Sequence, residues 1–251
     1  MLPKAILFDL DDTLISAYNR PDRAWHAIAQ EFAADLHPCS PTEAADAITL
    51  SAAAFWADAE RHRNGRLQLL DARATIIAEG FAAIARSGRI APRIEVATRM
   101  AARYNEFRDE QMHLFDGALH VVDTFREMGV RLALITNGAA IPQRAKVQRF
   151  DLTHRFHHIQ IEGEHGFGKP EERAYRHALS VLDVHPSDTW MVGDNLEWEV
   201  IAPQRLGIHA IWHDVIGEGV PADSSARPDR IIRALPELLH GIDLTKATPT
   251  I

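Results

Sequence analysis

The chain has 251 residues, a length that suits one core domain carrying a sizeable insertion. Hydrophobic residues make up 46% and charged residues 25%, the balance of an ordinary soluble globular protein, which excludes fibrous and disordered classes. Lys and Arg number 27 against 35 Asp and Glu, giving a formal charge of −8; this field repels polyanions and argues against a nucleic-acid polymer as partner, so a small anionic substrate needs locally placed cations.

Cys39 is the single cysteine, which excludes an intrachain disulfide. Charge enters early, at Lys4 and Asp9, leaving no room for a secretory apolar region, and no apolar stretch is long enough to span a bilayer. The expectation is a cytoplasmic protein with no membrane partner. Fourteen histidines are present, but no His-x-x-x-His pair with a partner carboxylate, so they read as scattered side chains rather than a histidine metal site.

In chain order, Ala5 to Leu10 contains a short continuous apolar run with Ile6, Leu7 and Phe8, the pattern of a strand buried on both faces. From Ser16 to His113 no strand signal occurs. Four helical faces recur instead: Trp25, Ile28, Ala29 and Phe32; Ile48, Ala52, Phe55 and Trp56; Leu70, Ala74, Ile77, Phe81 and Ile84; and Val96, Met100 and Phe107. Further on, helices are expected over Gly117–Met128, Glu171–Leu182 and Leu196–Leu206, and strands over Val130–Ile135, His158–Ile161, Thr189–Val192 and Ile208–Trp212. This alternation predicts an α/β fold, a doubly wound and mainly parallel sheet of Rossmann-like form. The expected organisation is a core of residues 1–15 and 114–243, an inserted four-helix unit over 16–113, and a flexible tail over 244–251.

Phe8-Asp9-Leu10-Asp11-Asp12-Thr13 places three carboxylates at the carboxyl end of the first strand, where open α/β sheets put their ligand sites. Side by side they repel one another, and a hard divalent cation, which takes oxygen ligands, offsets that repulsion. Alone, the hexapeptide also reads as an acidic turn. Leu134-Ile135-Thr136-Asn137-Gly138 ends the second strand with a hydroxyl and an amide suited to phosphate oxygens, or simply with an Asn-Gly turn. Gly166-Phe167-Gly168-Lys169-Pro170 sets a lysine in a glycine loop before a helix opened by Pro170; the proline and the spacing exclude a Walker loop, and a solvated lysine is the plain alternative. Met191-Val192-Gly193-Asp194-Asn195 closes the fourth strand with an aspartate, followed by Glu197 and Glu199.

Together, Phe-Asp-Leu-Asp-Asp-Thr, Ile-Thr-Asn-Gly, Gly-Lys-Pro and Val-Gly-Asp-Asn-Leu-Glu resemble the haloacid dehalogenase-like hydrolase superfamily, in its phosphatase branch. The resemblance covers the core from Lys4 to about Trp212, and the insertion matches that family's helical cap. It implies that Asp9 is the nucleophile, forming an aspartyl-phosphate, and that Asp11 is the general acid and then the base. It further implies that Thr136, with Asn137, holds the phosphoryl group and that Lys169 pairs with that group and with Asp9. Mg²⁺ would be the cofactor, held by Asp9, Asp11 through its backbone carbonyl, and Asp194. The implied partner is a small phosphorylated metabolite, and the expected state a monomer or homodimer.

Two departures stand out. Many relatives carry a second aspartate where this chain has Glu199, and Gly-Ala where it has Ala202-Pro203, so the last helix is expected to split near Ile201. A dehalogenase of the same fold lacks the second aspartate, which argues against that activity here. A phosphotransferase or mutase would share every core residue, and a catalytically silent binding protein is the third alternative. Arg61, His62, Arg63 and Arg66 crowd a junction near Asn64-Gly65 that reads either as a solvated loop or as cations directed to the remote end of a substrate.

Overall fold

Strand β1 (Ala5–Phe8) is buried along its whole length, as its unbroken apolar run requires. The computed structural model containing it describes residues 2–17 and 21–243; the expected tail over 244–251 lies outside the described residues. After β1 the chain turns at Asp12, whose φ of 58° lies in the left-handed region that Asp tolerates better than most residues. It then forms β2 (Ile15–Ser16).

Two units follow from the distribution of contacts: one is Ala17–Met112, and the other comprises the rest of the described chain. The first unit is all-helical. It contains α1 (Pro21–Glu31), α2 (Ala33–Leu36), α3 (Pro41–Ala57), α4 (Ala59–Gly65), α5 (Leu69–Arg86) and α6 (Glu95–Gln111). The four long helices correspond to the four apolar faces of the sequence, and their buried residues make one cluster that includes Trp25, Ile28, Ile48, Phe55, Ile77, Phe81, Val96 and Met100. Gly80 of α5 lies where an added Cβ would meet the Ile48 backbone nitrogen at 3.0 Å, so its lack of a side chain lets α5 approach α3 closely.

Arg61, His62 and Arg63 do not lie in a loop, as the plain reading of the basic run has it, and only Arg66 falls in the turn that follows. Asp58 accepts a hydrogen bond from Arg61 N at 2.8 Å, and this N-cap starts the short helix α4. The Arg61 guanidinium lies 4.1 Å from the centre of the Phe55 ring and pairs with Glu79 of α5 at 2.6 Å, so its charge is engaged within the helical unit.

Returning to the first unit's counterpart, β3 (His113–Leu114) pairs antiparallel with β2. The chain then alternates through α7 (Ala118–Glu127), β4 (Arg131–Thr136), α8 (Ala140–Arg149), β5 (His158–Ile161), α9 (Glu162–His165), α10 (Glu172–Leu182), β6 (Thr189–Gly193), α11 (Ala202–Gln204), β7 (His209–His213) and β8 (Arg230–Ile232). Six strands form one sheet in the order β5-β4-β1-β6-β7-β8. Every pairing in it is parallel. This is the doubly wound, Rossmann-like α/β architecture that the alternation predicts. One face buries Ala5, Leu7, Ala133, Ile135 and Met191 with Tyr175, Ala178, Leu179 and Leu182 of α10. Because β4 and β6 flank β1 on opposite sides, the chain reverses its winding direction at β1, and the strand ends there open a crevice.

Two details differ from expectation. Pro170 does not open α10, which begins at Glu172. The helix expected over Leu196–Leu206 divides as its sequence suggests: Leu196–Ile201 is π-helical, with Ala202 N–H bonded to Glu197 O, and passes into α11 just before Pro203, which has no N–H to continue the α-helical ladder. No helix among the described residues is long and apolar enough to cross a membrane.

His213 ends β7, is 2% exposed, and meets the Phe115 ring edge-on at 5.3 Å. Burial pushes its pKa from 6.5 down to about 4, against the opposing pull of the Arg233 and Thr13 backbone and of Glu237 and Asp214. The unfolded chain therefore takes up this proton at a higher pH than the folded chain, and stability falls as pH drops from about 6.5 to about 4. Chemical denaturation at a series of pH values should show His213→Asn losing up to about 3 kcal/mol less than the native chain across that window; parallel profiles for the two proteins would show that His213 is not the group responsible.

Candidate active site

The crevice collects the residues that the sequence singles out. Asp9 immediately follows β1, and its backbone N–H donates to Val192 O of β6 at 2.9 Å, which holds it at the strand end. Thr136 is the last residue of β4, and Asp194 directly follows β6. Lys169 arrives from the loop between α9 and α10, and its side chain is 1% exposed.

The Lys169 ammonium sits between two carboxylates. It bonds to Asp9 Oδ1, and it lies 2.7 Å from Glu199 Oε1. Glu199, on the π-helical segment, also accepts from Asn195 N at 2.7 Å. Asn195 Oδ1 in turn caps that segment by accepting from Glu197 N and Trp198 N at 3.0 and 3.1 Å. Gly193 leaves the space that Glu199 uses: a Cβ there would come within 2.0 Å of Glu199 Cγ.

Asn137 does not direct its amide at a ligand. Its Nδ2 donates to Lys169 O at 2.7 Å and its Oδ1 accepts from Lys169 N at 2.8 Å, so the side chain clamps the backbone of the lysine loop to the end of β4. Gly168 permits this approach, because a Cβ there would stand 2.5 Å from Asn137 Oδ1. The neighbouring Gly138 N donates to Glu162 Oε2 at 2.9 Å, tying the same turn to α9.

The structure adds three groups that the motif reading leaves out: Glu199, Gln143 and Lys146. Gln143 and Lys146, one turn apart on α8, are both buried. Lys146 Nζ lies 2.7 and 2.9 Å from the two Asp11 oxygens. Gln143 Nε2 donates to Asp11 Oδ2 at 2.9 Å and to Thr136 Oγ1 at 2.5 Å. Asp11 is therefore held on both oxygens, and the Thr136 hydroxyl is linked to it through one amide. The signal was a pair of long polar side chains on the buried face of an otherwise amphipathic helix.

Five carboxylates, Asp9, Asp11, Asp12, Asp194 and Glu199, share this region with two ammonium groups. Their proton affinities record the excess. Burial pushes Asp9 above its usual range, with the Asp11 charge adding and Lys169 opposing. Burial, with the charges of Glu199, Asp9 and Asp12, carries Asp194 well above its usual range. Burial raises Glu199 to about 7 although Lys169 opposes it. Lys169 is held above the usual lysine range because Asp9 and Glu199 outweigh the burial that would lower it. An oxygen-rich donor set with uncompensated negative charge fits a hard divalent cation.

A model of the family described as haloacid dehalogenase-like hydrolase matches residues 3–207. The phosphoserine phosphatase of Thermus thermophilus is 32% identical over 247 residues, covering 94% of this chain and 97% of that protein. The N-acylneuraminate-9-phosphatase of Rattus norvegicus is 36% identical over 118 residues, 45% of this chain and 47% of that protein. Among solved structures, the HAD-hydrolase YfnB from Bacillus subtilis is 22% identical with a TM-score of 0.66, covering 96% of this chain and 98% of its own. The L-2-haloacid dehalogenase RSc1362 is 18% identical with a TM-score of 0.65, covering 95% and 98%. These two likenesses show the shared fold. The chain belongs to the haloacid dehalogenase-like hydrolases, in their phosphatase branch, and is a hydrolase of phosphate monoesters.

Proposed function

We propose that the chain is a Mg²⁺-dependent phosphatase that hydrolyses a small phosphorylated metabolite through an aspartyl-phosphate on Asp9. The observation that carries this reading is the different treatment of two neighbouring carboxylates: Asp9 is buried against Lys169, while Asp11 is held by Lys146 and Gln143. Separate partners thus hold the two carboxylates apart, so that Asp9 can take the covalent role and Asp11 the proton-transfer role.

In the first half-reaction an Asp9 oxygen attacks phosphorus, the bond to the leaving oxygen breaks, and Asp11 gives that oxygen its proton. In the second, Asp11 takes a proton from water; the water oxygen attacks phosphorus, the bond to Asp9 breaks, and inorganic phosphate leaves. Lys169 opposes the rise in proton affinity that burial imposes on Asp9 and balances the phosphoryl charge. The Thr136 hydroxyl holds a phosphoryl oxygen, and Asn137 contributes by fixing the Lys169 loop, since both ends of its amide are occupied. Mg²⁺, held by Asp9, Asp194 and the Asp11 backbone carbonyl, would offset the charge of the phosphoryl oxygens.

Phosphoserine is the first substrate we assign to the site. The phosphoserine phosphatase match runs nearly end to end, whereas the N-acylneuraminate-9-phosphatase match covers about half of either chain. A glyceraldehyde 3-phosphate phosphatase of Pyrococcus abyssi matches over 38% of this chain. In a panel of phosphoserine, phosphoglycolate and sugar phosphates, phosphate release should be fastest per unit concentration with phosphoserine. Activity should vanish with a chelator and return with Mg²⁺. Full turnover in excess chelator would remove the metal, and preference for a sugar phosphate would reassign the substrate.

Asp11→Asn should lower kcat/KM, which reports phosphorylation of Asp9, about 10²–10⁴-fold on an alkyl phosphate and far less on an aryl phosphate whose leaving group needs no proton, while hydrolysis of the aspartyl-phosphate slows alike for both. Lys146→Met should follow the same pattern with a smaller loss, because it orients Asp11 without touching phosphorus. Equal losses on both substrates would instead place Lys146 in phosphate binding.

A further inference from the structure

Among the described residues, one cluster of metal-ligating side chains lies outside the set assigned to phosphoryl transfer. His158 lies on β5, His165 is the last residue of α9, and His177 is on α10. The sequence reading takes the histidines as scattered, since residues so spaced form no recognisable pair, yet the fold gathers these three at the edge of the sheet. One ring nitrogen from each lies within 4.8 Å of the other two, and all three side chains are partly buried.

Several observations indicate that the grouping is suited to a ligand. His158 Nε2 is buried and has no hydrogen-bond partner, a state that costs free energy until a proton partner or a metal satisfies it. His165 Nδ1 lies 3.1 Å from Ile161 O. A carbonyl only accepts, so this contact places the ring proton on Nδ1 and leaves the Nε2 lone pair available, the arrangement in which a backbone carbonyl orients a ligating imidazole. Burial lowers the pKa of His158, with the Gln160 side chain opposing and the charges of His177 and His165 adding, and this favours the neutral ring that metals require. The Phe167 ring meets His165 and His177 edge-on at 5.8 and 5.6 Å and walls one side of the cluster. No carboxylate belongs to the group, so imidazole nitrogen sets its chemistry.

We propose that His158, His165 and His177 form a binding site for a transition-metal dication of the zinc class, separate from the oxygen-rich site at Asp9. Imidazole suits Zn²⁺ and its neighbours and discriminates against Mg²⁺, which prefers oxygen. Two nitrogens bound tetrahedrally at about 2.0–2.1 Å stand about 3.3 Å apart, so side-chain rotations that draw the rings inward complete the site, and three protein ligands leave one position for water. Bound metal cross-links β5, α9 and α10, the elements on either side of residues 166–171, and so stiffens the loop that carries Lys169.

The test uses the full chain stripped of metal by a chelator and then titrated with Zn²⁺ by calorimetry in excess Mg²⁺. One equivalent should bind to the native chain and to Asp194→Asn, while His165→Asn and His177→Asn should each weaken binding by more than about tenfold. Zn²⁺ should raise the Tm of the native chain and leave the Tm of both histidine variants unmoved; unfolding without metal checks that each variant is folded. Co²⁺ in place of Zn²⁺ should give the intense visible absorption of a low-coordinate nitrogen site, absent in either histidine variant. Binding that survives both histidine substitutions, binding that disappears in Asp194→Asn, or no binding above Mg²⁺ would overturn the proposal.

Discussion

A lysine ammonium that is 1% exposed persists only if anions surround it, and in this chain Asp9 and Glu199 supply them. That three-charge contact governs much of the crevice. The lysine reaches its place because Asn137 pins the Lys169 backbone on both sides and Gly168 lets the two segments approach. Glu199 reaches its place because Gly193 has no Cβ and because Asn195 starts the π-helical turn that aims it inward. Removing either carboxylate partner would leave a buried charge partly uncompensated, a loss typically about 3–5 kcal/mol. Glu199 is therefore as much a part of the site's construction as the residues at the strand ends.

A second constraint follows from the sheet order. With β4 and β6 on either side of β1, the groups at their carboxyl ends face one crevice, but two adjacent aspartates on a single turn would by themselves experience nearly the same environment. Two buried cations from different elements separate them. Lys169, from the loop before α10, takes Asp9; Lys146, from α8, takes Asp11, with Gln143 linking Asp11 to Thr136. The net negative charge that remains is the physical basis for expecting a divalent cation.

Much of this fold was legible in the sequence because its central strands are buried on both faces and write themselves as continuous apolar runs; Ala5–Phe8 is the clearest case. The two-residue strands β2 and β3 and the three-residue β8, with Arg230 at its start, are too short to show a period. Helix α4 was hidden behind Asn64-Gly65, a turn signal that the Asp58 cap overrides. The strand-end residues of the site were readable because position relative to a strand is a sequence property. Gln143, Lys146 and the paired role of Glu199 were not, since which face of α8 or of the π-helical turn meets the crevice depends on tertiary packing. His158, His165 and His177 illustrate the same limit: their meeting depends on how β5, α9 and α10 assemble.

Covalent phosphorylation of Asp9, poised by Lys169, is the step on which the proposed hydrolysis depends. Rapid acid quench during turnover of a radiolabelled phosphate monoester, followed by borohydride reduction and peptide mass analysis, tests it most directly. Labelled protein is expected, with the aspartyl-phosphate reduced to homoserine at position 9 and no label retained by Asp9→Asn. Label on another residue, or sustained turnover with no covalent label at any quench time, would contradict it.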